Sequence, residues 1–305
     1  TVLILAPEYF LPIRDFGTDY HATLDGKNAL QAIMHIIDLP EQQRNESIEI
    51  AQWNENCTLN VANLSLQYDE SNECSLKDIS FSWKGFGKIG IIGASGAGKS
   101  TLINVLGGFA HPTSASIQIN NETITSFNTK EWQQQVLYIP QHPYIFNDTL
   151  ANNVSFYTPN ATNEEIQQAC HHAGLSKVIA SLPNGLDERI GESGRALSGG
   201  QEQRIAFARA FLDQSRKILL FDEPTAHLDI ETEWELKQNI LPLLDGRLVF
   251  FATHRLHWML EMDYIIVMDQ GKIVETGTHE QLLKAKGTYT QLIQAQMHGT
   301  EEQYG

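Results

Sequence analysis

The sequence has few cysteines, few basic residues for its length and no long apolar run. Cys57, Cys74 and Cys170 are the three cysteines; they stand far apart, in odd number and in no CxxC pair. That pattern argues against a disulfide framework or a cysteine-held zinc and fits reduced thiols in the cytosol. Lys and Arg total 21 against 37 Asp and Glu, a net charge of −16. A broad nucleic-acid surface needs clustered cations to neutralise phosphates, so no nucleic-acid partner is expected. The opening TVLILAPEYF is apolar only from Val2 to Ala6, too short to span a bilayer and without the charged leader of a signal peptide. The chain starts on Thr1 inside this stretch, and the expectation is a fragment of a longer protein. Repeats and low-complexity tracts are absent.

What is present is enough for a large core: 305 residues, 42% of them apolar, which suggests one or two domains. Residues 8–38 have helix-like apolar spacing, weakened by Pro12 and Gly17. Asp38 to Ser47, DLPEQQRNES, is polar and reads as a linker within 39–56. From Cys57 the pattern becomes β-like: LNVANLSLQY, KDISFSW, then the solid apolar run of GKIGIIG. LINVLGGF reads as a helix, ASIQINN and QVLYIP as strand-like runs, and about 163–212 as all helical with loops. KILLFDE and RLVFFATH are buried strands, and YIIVMDQGKIVETG is a hairpin turning at Gln270-Gly271. Buried strands separated by helices imply an α/β domain with a mostly parallel sheet.

GASGAGKST places Gly93, Gly98, Lys99 and Ser100 in the pattern GxxxxGK[ST], with Ser95, Gly96 and Thr101 in the same loop. Glycines let backbone N–H groups curl round phosphate oxygens, the lysine reaches the β and γ phosphates, and the serine hydroxyl suits Mg²⁺. The strand KIGII before it and the helix TLINVL after it supply the required context. Asp222 and Glu223 end the strand ILLFDE, where a parallel sheet opens toward ligand. Asp222 suits Mg²⁺ and Glu223 the attacking water. His254 ends the next buried strand and could sense a γ-phosphate; Gln141, in YIPQHP, could reach Mg²⁺ or water. A second helix start, Ser198, Gly199, Gly200 and Gln201 in RALSGGQEQRIAFARAF, is also an anion site in form.

The motifs GASGAGKST, YIPQ, LSGGQ, ILLFDEPTAHLD and ATH stand in this order at domain-sized spacing. Residues 57 to about 295 thereby resemble the ATPase domain of ATP-binding cassette (ABC) proteins. LSGGQ discriminates, since other phosphate-loop ATPases and kinases lack it. The resemblance implies a P-loop NTPase (RecA-like) core, an antiparallel β subdomain and an α-helical signature subdomain at about 143–212. It implies that ATP and Mg²⁺ are bound and ATP hydrolysed. Lys99, Ser100 and Thr101 fall in the Walker A loop, Gln141 in the Q-loop and Ser198 to Gln201 in the signature. Asp222 falls at the Walker B aspartate, Glu223 at the catalytic base, Asp229 at the D-loop aspartate, His254 at the switch histidine and Tyr68 at the adenine-stacking aromatic. In this family two domains pack head to tail, so one chain's Walker A loop and the other's signature helix sandwich one ATP. The D-loop departs from the usual Ser-Ala-Leu-Asp, reading Ala226-His227-Leu228-Asp229.

IFNDTLANNVSF at 145–156, GESGRALSGGQ, and APEYFLPIRDFGTDYH at 6–21 resemble exporters with fused membrane and ATPase parts. Residues 1–38 are then the end of the last transmembrane helix or a coupling arm, with earlier spans preceding Thr1, and 296–305 a C-terminal tail. The fragment would sit on the cytoplasmic face of the inner (plasma) membrane. Residues 6–21 look most like the CydD-type subunit of the bacterial cysteine and glutathione exporter that serves cytochrome bd assembly. The implied partners are the chain's own membrane domain and a second half-transporter, a CydC-type sister subunit, with a homodimer open to the isolated domain. Multidrug, lipid and peptide exporters are the near alternative. A soluble ABC ATPase acting on DNA or ribosomes would need a long coiled coil, a second cassette or a basic surface.

Overall fold

Ile218, Leu219, Leu220 and Phe221 are consecutive and all fully buried. Successive strand side chains point to opposite faces, so this strand must be covered on both. The computed structural model, which describes residues 2–38, 50–68, 74–192, 194–226 and 228–295, supplies that cover. It divides into two compact units, residues 1–44 and 45–305. The first holds one helix, α1 (Val2–Asp38), which continues through Pro12 and Gly17. The expected weakening there does not end the helix: a proline removes one backbone donor and a glycine costs about 1 kcal/mol, while the rest of a 37-residue ladder remains. Phe16, Tyr20, Leu30 and Ile33 on it are exposed. Among the described residues no helix is both long and apolar enough to cross a membrane. The expected linker residues 39–49, the tail 296–305 and His227 lie outside the described residues.

In the second unit, β1 (Thr58–Gln67) and β2 (Cys74–Lys84) are followed by β3 (Gly87–Ile92) and α2 (Lys99–Leu106). Next come β4 (Ser114–Ile119), β5 (Glu122–Ile124), α3 (Lys130–Gln133) and β6 (Val136–Ile139). A mostly helical stretch has β7 (Asp148–Thr149), α4 (Leu150–Val154), α5 (Asn163–His172), α6 (Ser176–Ser181), β8 (Arg189–Ile190) and α7 (Gly199–Leu212). The chain closes with β9 (Ile218–Asp222), α8 (Ile230–Leu244), β10 (Leu248–Ala252), β11 (Tyr264–Asp269), β12 (Lys272–Gly277) and α9 (His279–Ala285). The expectation of an all-helical 163–212 is corrected at β8, which pairs antiparallel with β7, Asp148 opposite Ile190. Two residues are too few to give a legible alternation, so that pair left no periodic signal.

The central sheet has the order β12-β11-β3-β10-β9-β6. All its pairs are parallel except β11–β12. The β11–β12 hairpin turns at Gln270 and Gly271, both at positive φ (45° and 77°), as a type I′ turn requires. A second, antiparallel sheet has the order β2-β1-β4-β5. One sheet face, with Ile218, Leu220, Phe250 and Ile266, packs with α2 and the antiparallel sheet; the other, with Leu219, Phe221, Phe251 and Val267, packs with the helical stretch. This layered α/β architecture is the P-loop NTPase fold. Because β3, β9, β10 and β6 run parallel, the loops after all four emerge along one edge, where ligands of open α/β sheets bind.

Candidate functional site

The loop after β3 is shaped by glycines at two places. A Cβ on Gly93 would stand 2.2 Å from the Met268 carbonyl oxygen, so the turn admits no side chain. Gly98, at φ 98°, is the N-cap of α2 and offers no side chain to its first N–H groups. Those N–H groups have no intrahelical acceptor, and they and the positive end of the helix dipole suit an anion. Lys99 is buried, its Nζ donating to the carbonyls of Gly93 (3.0 Å) and Ala94 (3.2 Å). The cleft in front measures about 1190 Å³ and is lined by Ser95, Gly96, Ser100, Gln141, Glu223 and His254 among others. Thr101 lines it too.

At the end of β9, Asp222 is 6% exposed and accepts a hydrogen bond from the Ser100 hydroxyl at 2.8 Å. Burial raises its pKa; the Ser100 bond opposes that, Glu223 adds to it and Lys99 opposes it. Burial and the charge of Asp222 push the nearby Tyr138 phenol up to about 12. Glu223 sits at φ 47°, a left-handed conformation that costs a non-glycine residue roughly 1–3 kcal/mol. Its N–H donates to the Ala252 carbonyl at 2.9 Å, tying the turn to β10. Its Oε2 accepts from the Thr253 hydroxyl (3.3 Å) and the His254 N–H (3.2 Å) and lies 2.7 Å from His254 Nδ1. Its Oε1 stands 3.6 Å from Lys99 Nζ. Gln141 follows β6, and its carbonyl accepts from Gln203 Nε2 of α7 at 3.2 Å.

The second helix start lies elsewhere. Ser198 and Gln201 form a capping box at the start of α7, each side chain accepting from the other's backbone N–H. The Ser198 hydroxyl that sequence reading assigned to phosphate is therefore engaged with its own helix. Ser198, Gly199, Gly200, Gln201, Arg204 and Asp229 line a depression of about 380 Å³. It shares no lining residue with the larger cleft. Tyr68, just past β1, is 46% exposed and does not line the cleft, although Cys74, opposite its neighbour Gln67, does. Sequence reading missed Cys74, Ser75, Lys77, Gln270 and Gly271 as lining residues; no motif marks them, because β2 is held beside the β11–β12 turn by contacts between the two sheets, the Lys77 N–H donating to the Gly271 carbonyl at 2.8 Å.

These residues fit a nucleotide triphosphate with Mg²⁺. Uncapped N–H groups and a buried ammonium meet an anion, while a buried carboxylate and a hydroxyl already 2.8 Å apart meet a cation. Among the described residues no group of three or more His, Cys, Asp and Glu could hold a metal. Mg²⁺ does not need one, since it is usually held by one or two carboxylates, waters and substrate phosphates.

A family model described as ABC transporter matches residues 76–226. The glutathione/L-cysteine transport system ATP-binding/permease protein CydC of Bacillus subtilis is 53% identical over 297 residues, 97% of this chain and 51% of that protein. The chain belongs to the ABC transporter family. Its ATP-binding domain is an ATP hydrolase by family. The transport ATP-binding protein AarD of Providencia stuartii is 33% identical over 98% of this chain and 50% of its own. An ATP-dependent lipid A-core flippase of Pseudomonas fluorescens is 36% identical over 92% and 46%. A bacterial Atm1-family ABC exporter, solved with ATP bound, superposes with a TM-score of 0.76 at 30% identity, over 95% of this chain and 50% of that one. The chain thus spans about half the length of the relatives it matches. The Bacillus relative is named CydC, whereas the expectation from residues 6–21 is the CydD type with a CydC-type partner.

Proposed function

We propose that this chain couples ATP hydrolysis to export of cysteine or glutathione across a bacterial plasma membrane, from its cytoplasmic face. The observation that carries the ATPase part is the convergence of Lys99, the Ser100–Asp222 pair and the Glu223–His254 pair on one sheet edge. The 53% identity to a glutathione/L-cysteine transport protein supports the substrate. In this reading the Gly93–Thr101 loop, with Ser95, Gly96 and Gly98, wraps the phosphates and Lys99 neutralises them. Tyr68 stacks on adenine. Ser100, Asp222 and Gln141 would hold Mg²⁺, which would supply positive charge to offset that of the phosphates. Glu223 draws a proton from the attacking water, and His254 fixes the carboxylate and meets the γ-phosphate. Ser198 to Gln201 close over the ATP of a second domain.

The separation of the two lining sets supports that head-to-tail arrangement. The second domain is a sister subunit of the same exporter. Residues 1–38 form the arm toward the chain's membrane domain, and the exposed apolar side chains on α1 suit that place. ATP-driven closure of the pair and its release on hydrolysis drive transport.

The test is ATPase activity of the full-length protein, co-produced with its sister subunit and reconstituted in lipid, with and without cysteine or glutathione. Stimulation by these thiols, lost in Glu223→Gln, is the expected result. Turnover without a thiol response keeps the ATPase and removes the thiol substrate. Stimulation by lipid instead would favour the second reading, a lipid exporter, which the flippase relative supports.

A further inference from the structure

Glu233, on the first turns of α8, is 2% exposed and lies outside the ATP cleft, yet it gathers hydrogen bonds from three side chains of two separate segments. The Thr225 hydroxyl, from the turn after Glu223, donates to its Oε1 at 2.6 Å. The Trp258 indole N–H, from the 3-10 helix Leu256–Glu261, donates to the same oxygen at 2.8 Å. Arg255, the residue after His254, forms an ion pair with its Oε2. The same guanidinium donates to the Leu228 carbonyl at 3.2 Å, next to Asp229. The Arg255 N–H donates to the Thr253 hydroxyl at 3.0 Å, and that hydroxyl in turn donates to Glu223. Burial lowers the Arg255 pKa while the charge of Glu223 raises it, so this cation also senses the carboxylate beside His254.

The contacts continue in the other direction. Asp229 caps α8, accepting from the Thr232 N–H at 2.9 Å. The Thr232 hydroxyl accepts from Arg204 of α7 at 3.1 Å, and Arg204 lines the signature depression. Lys237, one turn along α8 from Glu233, donates to the His257 carbonyl at 2.9 Å and pairs with Glu261 at 3.0 Å. Thus α8 holds the segment after His254 at two successive turns. We propose that the Glu233–Arg255 pair is a strut that positions His254 and Glu223 according to the state of the Asp229 loop and the signature edge. Both are positioning residues, acting through Thr253 and the backbone beside Leu228. The inference rests on the ATPase reading above and names how occupancy at one lining set is felt at the other.

The geometry sets how the strut can be broken. Glu233→Gln keeps an acceptor for Thr225 and Trp258 but leaves the Arg255 guanidinium without its counter-charge. Arg255→Lys keeps the charge but loses the two-pronged reach to Glu233 and the Leu228 carbonyl. The experiment measures kcat, KM for ATP, the Hill coefficient for ATP and the affinity for a non-hydrolysable ATP analogue. It uses the full-length protein with its sister subunit in lipid, and compares native protein, Glu223→Gln, Glu233→Gln, Arg255→Lys and the Glu233→Gln/Arg255→Lys double variant. The strut predicts a 10- to 100-fold lower kcat in each single strut variant. Analogue affinity stays within twofold, the Hill coefficient falls toward one, and the double variant is no worse than the poorer single. If Glu233→Gln does not fold, the Arg255→Lys measurements decide alone. Native-like kcat in a folded strut variant would overturn the strut, as would a fall in analogue affinity matching the fall in kcat, or fully additive losses. Native turnover abolished by Glu223→Gln shows that the ATPase reading holds whatever the strut does; absent native turnover removes both.

Discussion

Replacing Glu223 by glutamine separates what its carboxylate does for binding from what it does for chemistry. Its Oε2 faces the Thr253 hydroxyl, the His254 N–H and His254 Nδ1, and its Oε1 faces the Lys99 ammonium 3.6 Å away. A glutamine can turn its oxygen to the first group, which leaves its NH₂ against the ammonium. The lost attraction is about 4–5 kcal/mol gross for unit charges at that distance and an effective dielectric near 20. Part of it is offset because glutamine buries no charge and Asp222 loses a like-charged neighbour, but Lys99 stays charged and buried without its partner. Lys99 also keeps its two carbonyl acceptors. The net loss of stability is about 1–3 kcal/mol, a fall in Tm of about 3–10 °C for a domain of this size. Binding should hold or tighten, because a negative charge beside the phosphate site is gone. Turnover should collapse: a positioned general base contributes about 10²–10⁴ in rate, or about 3–5 kcal/mol on the barrier. The assay is phosphate release at saturating Mg-ATP beside equilibrium binding of labelled ATP. A kcat within about threefold of the native protein would refute Glu223 as the base. A tenfold loss of affinity would refute the claim that it faces, rather than holds, the nucleotide.

Lys99→Ala removes the buried ammonium from the phosphate loop. Two charge-assisted bonds to phosphate at about 1.5–3 kcal/mol each predict at least a 100-fold loss of ATP affinity, read by calorimetry; unchanged affinity would sink the phosphate-loop assignment. His257 stands 3.3 Å from Glu233 with Lys237 and Arg255 close by, and burial followed by those two cations lowers its pKa from 6.5 to about 4. The unfolded chain then binds the proton first, so the stability tied to this group is complete above pH 6.5 and is lost as pH falls through 4. The shift is worth at most about 3 kcal/mol, and the partial exposure of the ring reduces it to about 1–2 kcal/mol. His257→Asn should therefore lose less Tm than the native protein between pH 6.5 and 4.5; equal losses would reject this account.

The parts of the site that could be read in the sequence are those where local chemistry dictates local shape. GASGAGKST needs glycine at Gly93 because Met268 closes the space above it, and at Gly98 because φ there is 98°. ILLFDE and LVFFATH are legible because four or more successive buried residues demand a covered strand, and the polar residue ending each run must lie at the sheet edge. Gln270-Gly271 is legible because a type I′ turn needs two residues at positive φ. What could not be read has no periodicity and no local cause. The β7–β8 pair is two residues long. The lining of the cleft by Cys74, Ser75 and Lys77 follows from how β2 lies beside the turn at Gly271, far off in sequence.

Glu233 shows why the remainder stays hidden. In ETEWELKQNI its position is one more acid in the first turns of a helix, where acids are favoured by the dipole and are usually solvated. Only the parallel order of β3, β10 and β9 brings Arg255 back over α8 and buries the carboxylate between them. Thr225 and Arg255 come from turns after different strands, and neither carries a motif linking it to residue 233. A buried carboxylate with this many donors is costly to assemble and costly to disturb, since removing one partner leaves the others desolvated and unpaired. Its position between Thr225 and Arg255 therefore ties the turn after Glu223 to the segment after His254. These bonds add to those by which Glu223 itself already meets Ala252, Thr253 and His254.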